Sequence, residues 1–205
     1  MIKPQVNIII YRIFEYYVIL KIWCRFSSVT IWGQFHDSGK PILLISNHNS
    51  WWDGLWASYV NTKILGRRFH FMILEEQLRK HHYFKYVGGF SVNKGSRDVL
   101  ETLRYMRDIL THSRNMVLLF PQGKLQSLYI RDFVFEKGAA ALLKSAGENI
   151  QVVMMATMVD YFSKVKPGLY IYLEEYSPDS AESLEVAYNR FYHTSMEGQL
   201  KREEP

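Results

Sequence analysis

The chain has a single cysteine, Cys24, in 205 residues. No internal disulfide can form and no cysteine-rich zinc module exists, so a reducing compartment is the simple expectation. Proline is scarce, with six residues, and no Pro-, Gly- or Ser-rich stretch marks a linker. There is no repeat and no low-complexity segment. An uninterrupted apolar run long enough to cross a bilayer is also missing. The nearest is residues 6–26, VNIIIYRIFEYYVILKIWCRF, where Arg12, Glu15, Lys21 and Arg25 break the run. A span wants about 20 mostly apolar residues, and a secretory signal wants an unbroken apolar core and a small-residue cleavage site.

The composition that remains is globular. Hydrophobic residues make up 48% and charged residues 22% of the chain, which excludes wholesale disorder and fits about one domain with a real core. Lysine and arginine outnumber aspartate and glutamate by 25 to 20, a net charge of +5. That balance suits an anionic partner: a membrane face, a nucleic acid or a phosphorylated metabolite. The basic residues are dispersed and carry no nucleic-acid motif, so nucleic acid is not expected as a partner. Fourteen tyrosines and five tryptophans have apolar bodies and polar tips, which suit interfaces.

Residues 6–26 are rich in Ile, Tyr, Phe and Trp with basic punctuation, the composition of a helix lying in a membrane interface. An ordinary helix packed on the core is the alternative. The first reading makes residues 1–28 a membrane-interface helix ahead of a globular domain at 29–205. The protein is then peripheral or monotopic, on the cytoplasmic face, held by an anionic membrane surface.

Beyond the first helix, strands and helices alternate. Strands are expected at residues 29–32, 41–46, 68–74, 88–92, 115–120, 150–158 and 168–174. Helices are expected at 51–60, 75–86, 96–112, 133–146 and 180–196. This order predicts an α/β sandwich: a mixed, largely parallel sheet flanked by helices.

Three loops could carry chemistry. The first is Asn47-His48-Asn49-Ser50-Trp51-Trp52-Asp53, directly after the buried run PILLIS, at the strand edge where α/β sheets bind ligands. In a regular helix His48 and Asp53 would lie about 140° apart, since each residue turns about 100°. They meet only if His48 is still in the loop while Asp53 has entered the helix. A carboxylate on one imidazole nitrogen fixes the tautomer and leaves the other nitrogen free as a base. The second is Gly88-Gly89-Phe90-Ser91-Val92-Asn93-Lys94 with Arg97 just inside a helix, either an anion site or a solvated basic turn. The third is Phe120-Pro121-Gln122-Gly123-Lys124 after another buried strand, either a ligand loop or a plain turn. Trp51, Trp52 and Trp56 line an apolar ligand channel or pack the core. His81 and His82 have no further ligand set around them, so no metal site is expected.

Together these pieces resemble the glycerol-3-phosphate and lysophospholipid acyltransferase family. The first loop resembles its N-H-x-x-x-x-D motif, Gly89 to Lys94 its second motif, and Phe120 to Gly123 its F-P-E-G motif. Phe135-Glu136-Lys137-Gly138-Ala139-Ala140 resembles the F-x-K-G-A stretch that follows, and residues 152–158 stand where its fourth, apolar motif would be. The pattern covers about residues 30–160. Gln122 replaces the usual glutamate, Lys124 and Leu125 stand for threonine and arginine, Lys94 stands for arginine, and the fourth motif lacks its proline.

The resemblance implies a glycerol-3-phosphate acyltransferase-like fold and acyl transfer from acyl-CoA or acyl carrier protein to the hydroxyl of a membrane lipid acceptor. No cofactor beyond that co-substrate is implied. His48 would be the general base and Asp53 its orienting partner. Asn47, Lys94, Arg97, Phe120, Pro121, Gln122, Gly123 and Lys124 would be substrate-binding, with backbone N–H groups beside Gly123 as oxyanion donors. The alternative is an inactive lipid-binding protein of the same fold. An arginine fork suited to a phosphate monoester is missing from the third motif, so lysophosphatidate is not implied as the preferred acceptor.

Overall fold

A computed structural model describes residues 1–93, 96–177 and 182–203. Seven strands form one sheet: β1 (Ser28–Trp32), β2 (Ile42–Ser46), β3 (Arg68–Leu74), β4 (Gly89–Val92), β5 (Asn115–Leu119), β6 (Gln151–Asp160) and β7 (Gly168–Tyr176). Their order is β1-β7-β6-β2-β5-β3-β4. Every neighbouring pair is parallel except β6 with β7. The helices are α1 (Ile8–Arg25), α2 (Asp53–Val60), α3 (Glu75–Lys80), α4 (Ser96–Ile109), α5 (Lys137–Ala146) and α6 (Leu184–Leu200). This is the expected α/β architecture with a mixed, mostly parallel sheet.

Central strands alternate their side chains between two cores. Leu43, Ile45, Val117, Leu119, Val152 and Met154 face one core, closed by residues of α4, α5 and α6. Ile42, Leu44, Met116, Leu118, Val153 and Met155 face the other, closed by residues of α1 and α2. All five residues of β2 are buried, as the continuous apolar run requires for a strand covered on both faces.

Helix α1 enters this scaffold through one stripe. Val18 and Ile22 are buried, and Tyr11 and Phe14 pack partly buried beside them. Glu15 lies on the same stripe, accepting from Arg12 at 2.8 Å and from the Thr62 hydroxyl at 3.3 Å. The opposite stripe is also apolar: Ile9, Ile13, Tyr16, Leu20 and Trp23 are exposed, at alternating spacings of four and three that keep them on one face. Ahead of α1, the chain lies along the edge strand β4. Ser91 N–H donates to the Ile2 carbonyl at 2.9 Å, and the N–H groups of Gln5 and Asn7 donate to Lys85 and Tyr86.

Several boundaries differ from expectation. Residues 75–86 divide into α3 and a tight 3₁₀ turn, His82–Val87. Helix α5 begins at Lys137 instead of residue 133. Residues 133–135 lie outside any regular element and are bonded to α6, where Phe133 exchanges hydrogen bonds with the Asn189 amide and Phe135 N–H donates to Glu185. The last helix begins at Leu184, while residues 178–181 lie outside the described residues.

Candidate active site

Strands β5, β2 and β6 lie side by side and parallel. Their C-terminal ends therefore bring residues 47–53, 120–127 and 157 to one edge of the sheet, the edge where parallel α/β sheets place ligands.

Asn47 fixes the start of the first loop. Its side-chain amide continues the β2–β6 ladder past the last strand residue: Thr157 N–H donates to Asn47 Oδ1 at 3.0 Å, and Asn47 Nδ2 donates to Thr157 C=O at 3.3 Å. The buried Tyr188 hydroxyl donates to Met155 C=O at 2.9 Å and lies 3.4 Å from Asn47 Oδ1. Burial raises the Tyr188 phenol well above its ordinary value, so it serves as a neutral donor.

His48 remains in the loop and Asp53 opens α2, the arrangement their spacing requires. Asp53 Oδ2 lies 3.0 Å from His48 Nδ1 and accepts the N–H groups of Asn49 at 2.7 Å and Ser50 at 2.8 Å. Three donors thus converge on one oxygen, while the buried Oδ1 has no protein partner. The carboxyl is 0% exposed. Burial pushes Asp53 above the ordinary carboxylate range, against the pull of His48 and the two N–H groups. A carboxylate here makes Nδ1 the protonated nitrogen, so the Nε2 lone pair is available to a substrate. The Phe120 ring stacks on the His48 ring, with centroids 4.0 Å apart and planes within 10°. The imidazole is thereby held by an edge and a face.

The third loop closes on the first. His48 N–H donates to Gln122 Oε1 at 2.8 Å, and Gln122 Nε2 donates to Gln126 Oε1 at 2.6 Å. Gln126 N–H returns to His48 C=O at 2.9 Å, and Asn49 Nδ2 donates to Ser127 C=O at 2.6 Å. Pro121 is buried, and its carbonyl accepts Glu136 N–H at 2.8 Å, just before α5. Gly123 has φ +65°, and a Cβ there would come within 2.9 Å of Glu136 Cγ, so glycine suits this turn. The Gly123 N–H donates to Phe120 C=O at 3.2 Å, which engages it inside the turn. Lys124 is exposed.

The structure therefore brings Asn47, His48, Asp53, Phe120 and Gln122 into one cluster. Lys94 lies outside the described residues, and Arg97 falls in the first turn of α4. At the end of β4, Glu75 accepts from the Ser91 hydroxyl at 3.2 Å and Asn93 Nδ2 at 3.1 Å. Trp56 is buried, with its ring edge-on to Phe26, so it packs the core. Trp51 is 60% exposed.

Asn49, Gln126, Thr157, Tyr188 and Glu75 join these networks without a local sequence signal. The Asn47–Tyr188 contact closes over 141 residues, and only the fold brings such partners together.

A family model described as Acyltransferase matches residues 28–158. No curated protein matches the chain. Among solved structures, a KaiC-like protein from the hyperthermophilic archaeon Pyrococcus horikoshii is similar at 12% identity. That match covers 71% of this chain and 82% of the other at a TM-score of 0.29, too low to carry an argument. The family match spans more than half of the chain and includes all three loops, and the protein belongs to the acyltransferase family, that of the 1-acylglycerol-3-phosphate acyltransferases.

Proposed function

We propose that the protein is a membrane-associated O-acyltransferase that moves a fatty acyl group from acyl-CoA or acyl carrier protein to the hydroxyl of a lipid acceptor. The observation that carries the reading is the 3.0 Å contact between Asp53 and His48 Nδ1. His48 Nε2 takes the proton of the acceptor hydroxyl as its oxygen attacks the thioester carbonyl. The C–O bond forms, the C–S bond breaks, and the departing thiolate takes up the proton from the imidazolium. Asp53 stabilises that imidazolium and keeps the ring in the productive tautomer. The chain needs no covalent nucleophile, so Cys24 has no part in the step.

The exposed stripe Ile9, Ile13, Tyr16, Leu20 and Trp23 supports membrane attachment through α1. Among the described residues no helix is long and apolar enough to cross a membrane, which fits a helix lying in the interface with Lys21 and Arg25 near anionic headgroups. The cytoplasmic face is the proposed location. The acceptor is a lysolipid or lipid alcohol, lysophosphatidate-like or related, and the apolar Leu125, where the family has arginine, argues against a fork for a phosphate monoester.

The test is a competition assay with purified protein, one acyl thioester and an equimolar panel of lysophosphatidate, other lysolipids and neutral or amino-acid-derived hydroxy lipids, read by mass spectrometry. Ester formation is the expected result, with lysophosphatidate not dominant. No acylated product from any acceptor, despite binding of the lipids, would favour the inactive lipid-binding alternative. Clear preference for lysophosphatidate would overturn the acceptor reading.

A further inference from the structure

His48 lies beyond the end of β2, so the sheet ladder does not hold its peptide groups. Residues of the 120–127 loop hold them instead. The His48 N–H is taken by Gln122 Oε1 and the His48 C=O by Gln126 N–H, at 2.8 and 2.9 Å. The two glutamines are joined to each other at 2.6 Å. Gln122 is 2% exposed, and each end of its amide already has a protein partner. An acceptor bound through Gln122 would have to disrupt a buried bond to the backbone of the base.

We infer, resting on His48 as the base, that Gln122 and Gln126 form a neutral clamp that positions His48, and that Gln122 acts through His48 instead of contacting the acyl acceptor. Phe120 fixes the face of the imidazole, Asp53 fixes its edge, and the glutamine clamp fixes the backbone from which the ring hangs. Without Gln122, the His48 N–H loses its acceptor at a largely buried position, and the ring can drift from both Asp53 and Phe120. Displacements of about 1 Å in such constellations can cost on the order of 10² in rate.

The chemistry of the pair sets a specific pattern. A carboxylate at position 122 still accepts the His48 N–H, and Gln126 can turn its amide over to donate to it. A carboxylate at both positions places two acceptors against each other, and their contact then requires a shared proton.

The experiment compares Gln122→Met, Gln122→Glu and Gln122→Glu/Gln126→Glu with the wild type in full-length protein. Steady-state kinetics across pH are combined with nitrogen NMR of labelled histidine, and thermal melting reports folding. Gln122→Met is expected to lower kcat by roughly 10- to 100-fold, with acceptor KM within a few-fold of wild type and mixed His48 tautomers. Gln122→Glu should recover most of that loss. The double variant should lose activity and the single Nδ1–H tautomer as pH rises. If Gln122→Met does not fold, Gln126→Leu replaces it, with a smaller fall in kcat and the same unchanged KM. An unperturbed imidazole spectrum with kcat retained and acceptor KM raised would overturn the inference and make Gln122 an acceptor contact. The NMR readout does not depend on turnover. Failure to acylate any lipid therefore counts against the proposed function, and an undisturbed His48 counts against the clamp.

Discussion

Asp53 is 0% exposed and Trp23 is 76% exposed, and the regions around them are built on opposite rules. In the loop cluster at the ends of β2, β5 and β6, Asn47, His48, Asp53, Gln122 and Gln126 are tied to specific partners by geometry. On the outer stripe of α1, large apolar side chains lie side by side with water in front of them. Directional contacts hold a base in one orientation, as proton transfer requires. Non-directional apolar area suits a fluid surface that offers no fixed partners. Under the proposed function, reaction chemistry belongs to the first region and membrane attachment to the second, so each should fail in its own way.

Substitution of Asp53 should separate catalysis from stability most sharply. Asp53→Asn is expected to lower kcat on the order of 10²–10⁴, because a neutral amide no longer stabilises the imidazolium. Its stability should not fall at neutral pH. Burial raises the folded-state pKa of Asp53, so the native state holds that proton to higher pH than the unfolded chain does. The ionised carboxyl therefore costs stability, increasingly as pH rises from the unfolded value of about 3.9 through the raised folded value. Asparagine removes that cost while still accepting the two N–H bonds. Urea titration of both proteins across pH measures the effect, and a melting point several degrees below wild type at pH 7 would contradict it. In the wild type, protonation of Asp53 should lower kcat at a pH above the ordinary carboxylate range.

The second region should fail in partitioning while the fold remains intact. Ile13→Ser/Leu20→Ser/Trp23→Ser is expected to weaken binding to anionic vesicles at least tenfold, since each large apolar side chain contributes roughly 1.5–3 kcal/mol when fully buried. The melting temperature should hold, because the inner stripe with Val18 and Ile22 is untouched. Undiminished co-sedimentation would remove α1 from the membrane role.

Smaller effects probe how rigid the catalytic region must be. Gly123→Ala should destabilise by about 1–2 kcal/mol, the cost of a left-handed backbone for a residue with a Cβ, read as a shift of the denaturation midpoint. Tyr188→Phe removes the hydroxyl bonded to Met155 C=O and should cost about 1 kcal/mol, with a still smaller effect on rate through Asn47.

The sequence made some of this legible and hid the rest for physical reasons. Residues 41–45, PILLI, are apolar because β2 is covered on both faces, and the polar break at residues 47–50 marks where the chain leaves the sheet. The His48–Asp53 spacing could be read because both residues belong to one short segment. Gln122 could be noticed as a residue in a loop, but its bond to His48 spans 74 positions and exists because β2 and β5 are neighbours. Residues 133–135 read as helix because Phe-Val-Phe carries no local stop signal, yet α5 starts only at Lys137. Instead Phe133 and Phe135 hydrogen-bond to Asn189 and Glu185 on α6. For α1, apolar residues on more than one face left core packing and interface both open, and the structure shows one stripe packed and the other exposed.

The central claim is that His48 is the base of an acyl transfer. Its most direct measurement is the rate of ester formation by purified His48→Ala, set beside wild type with the best acceptor from the competition panel and with matched melting temperatures. The account predicts a fall of at least 10², the scale of a lost general base. Ester formation near the wild-type rate in a folded His48→Ala protein would contradict it.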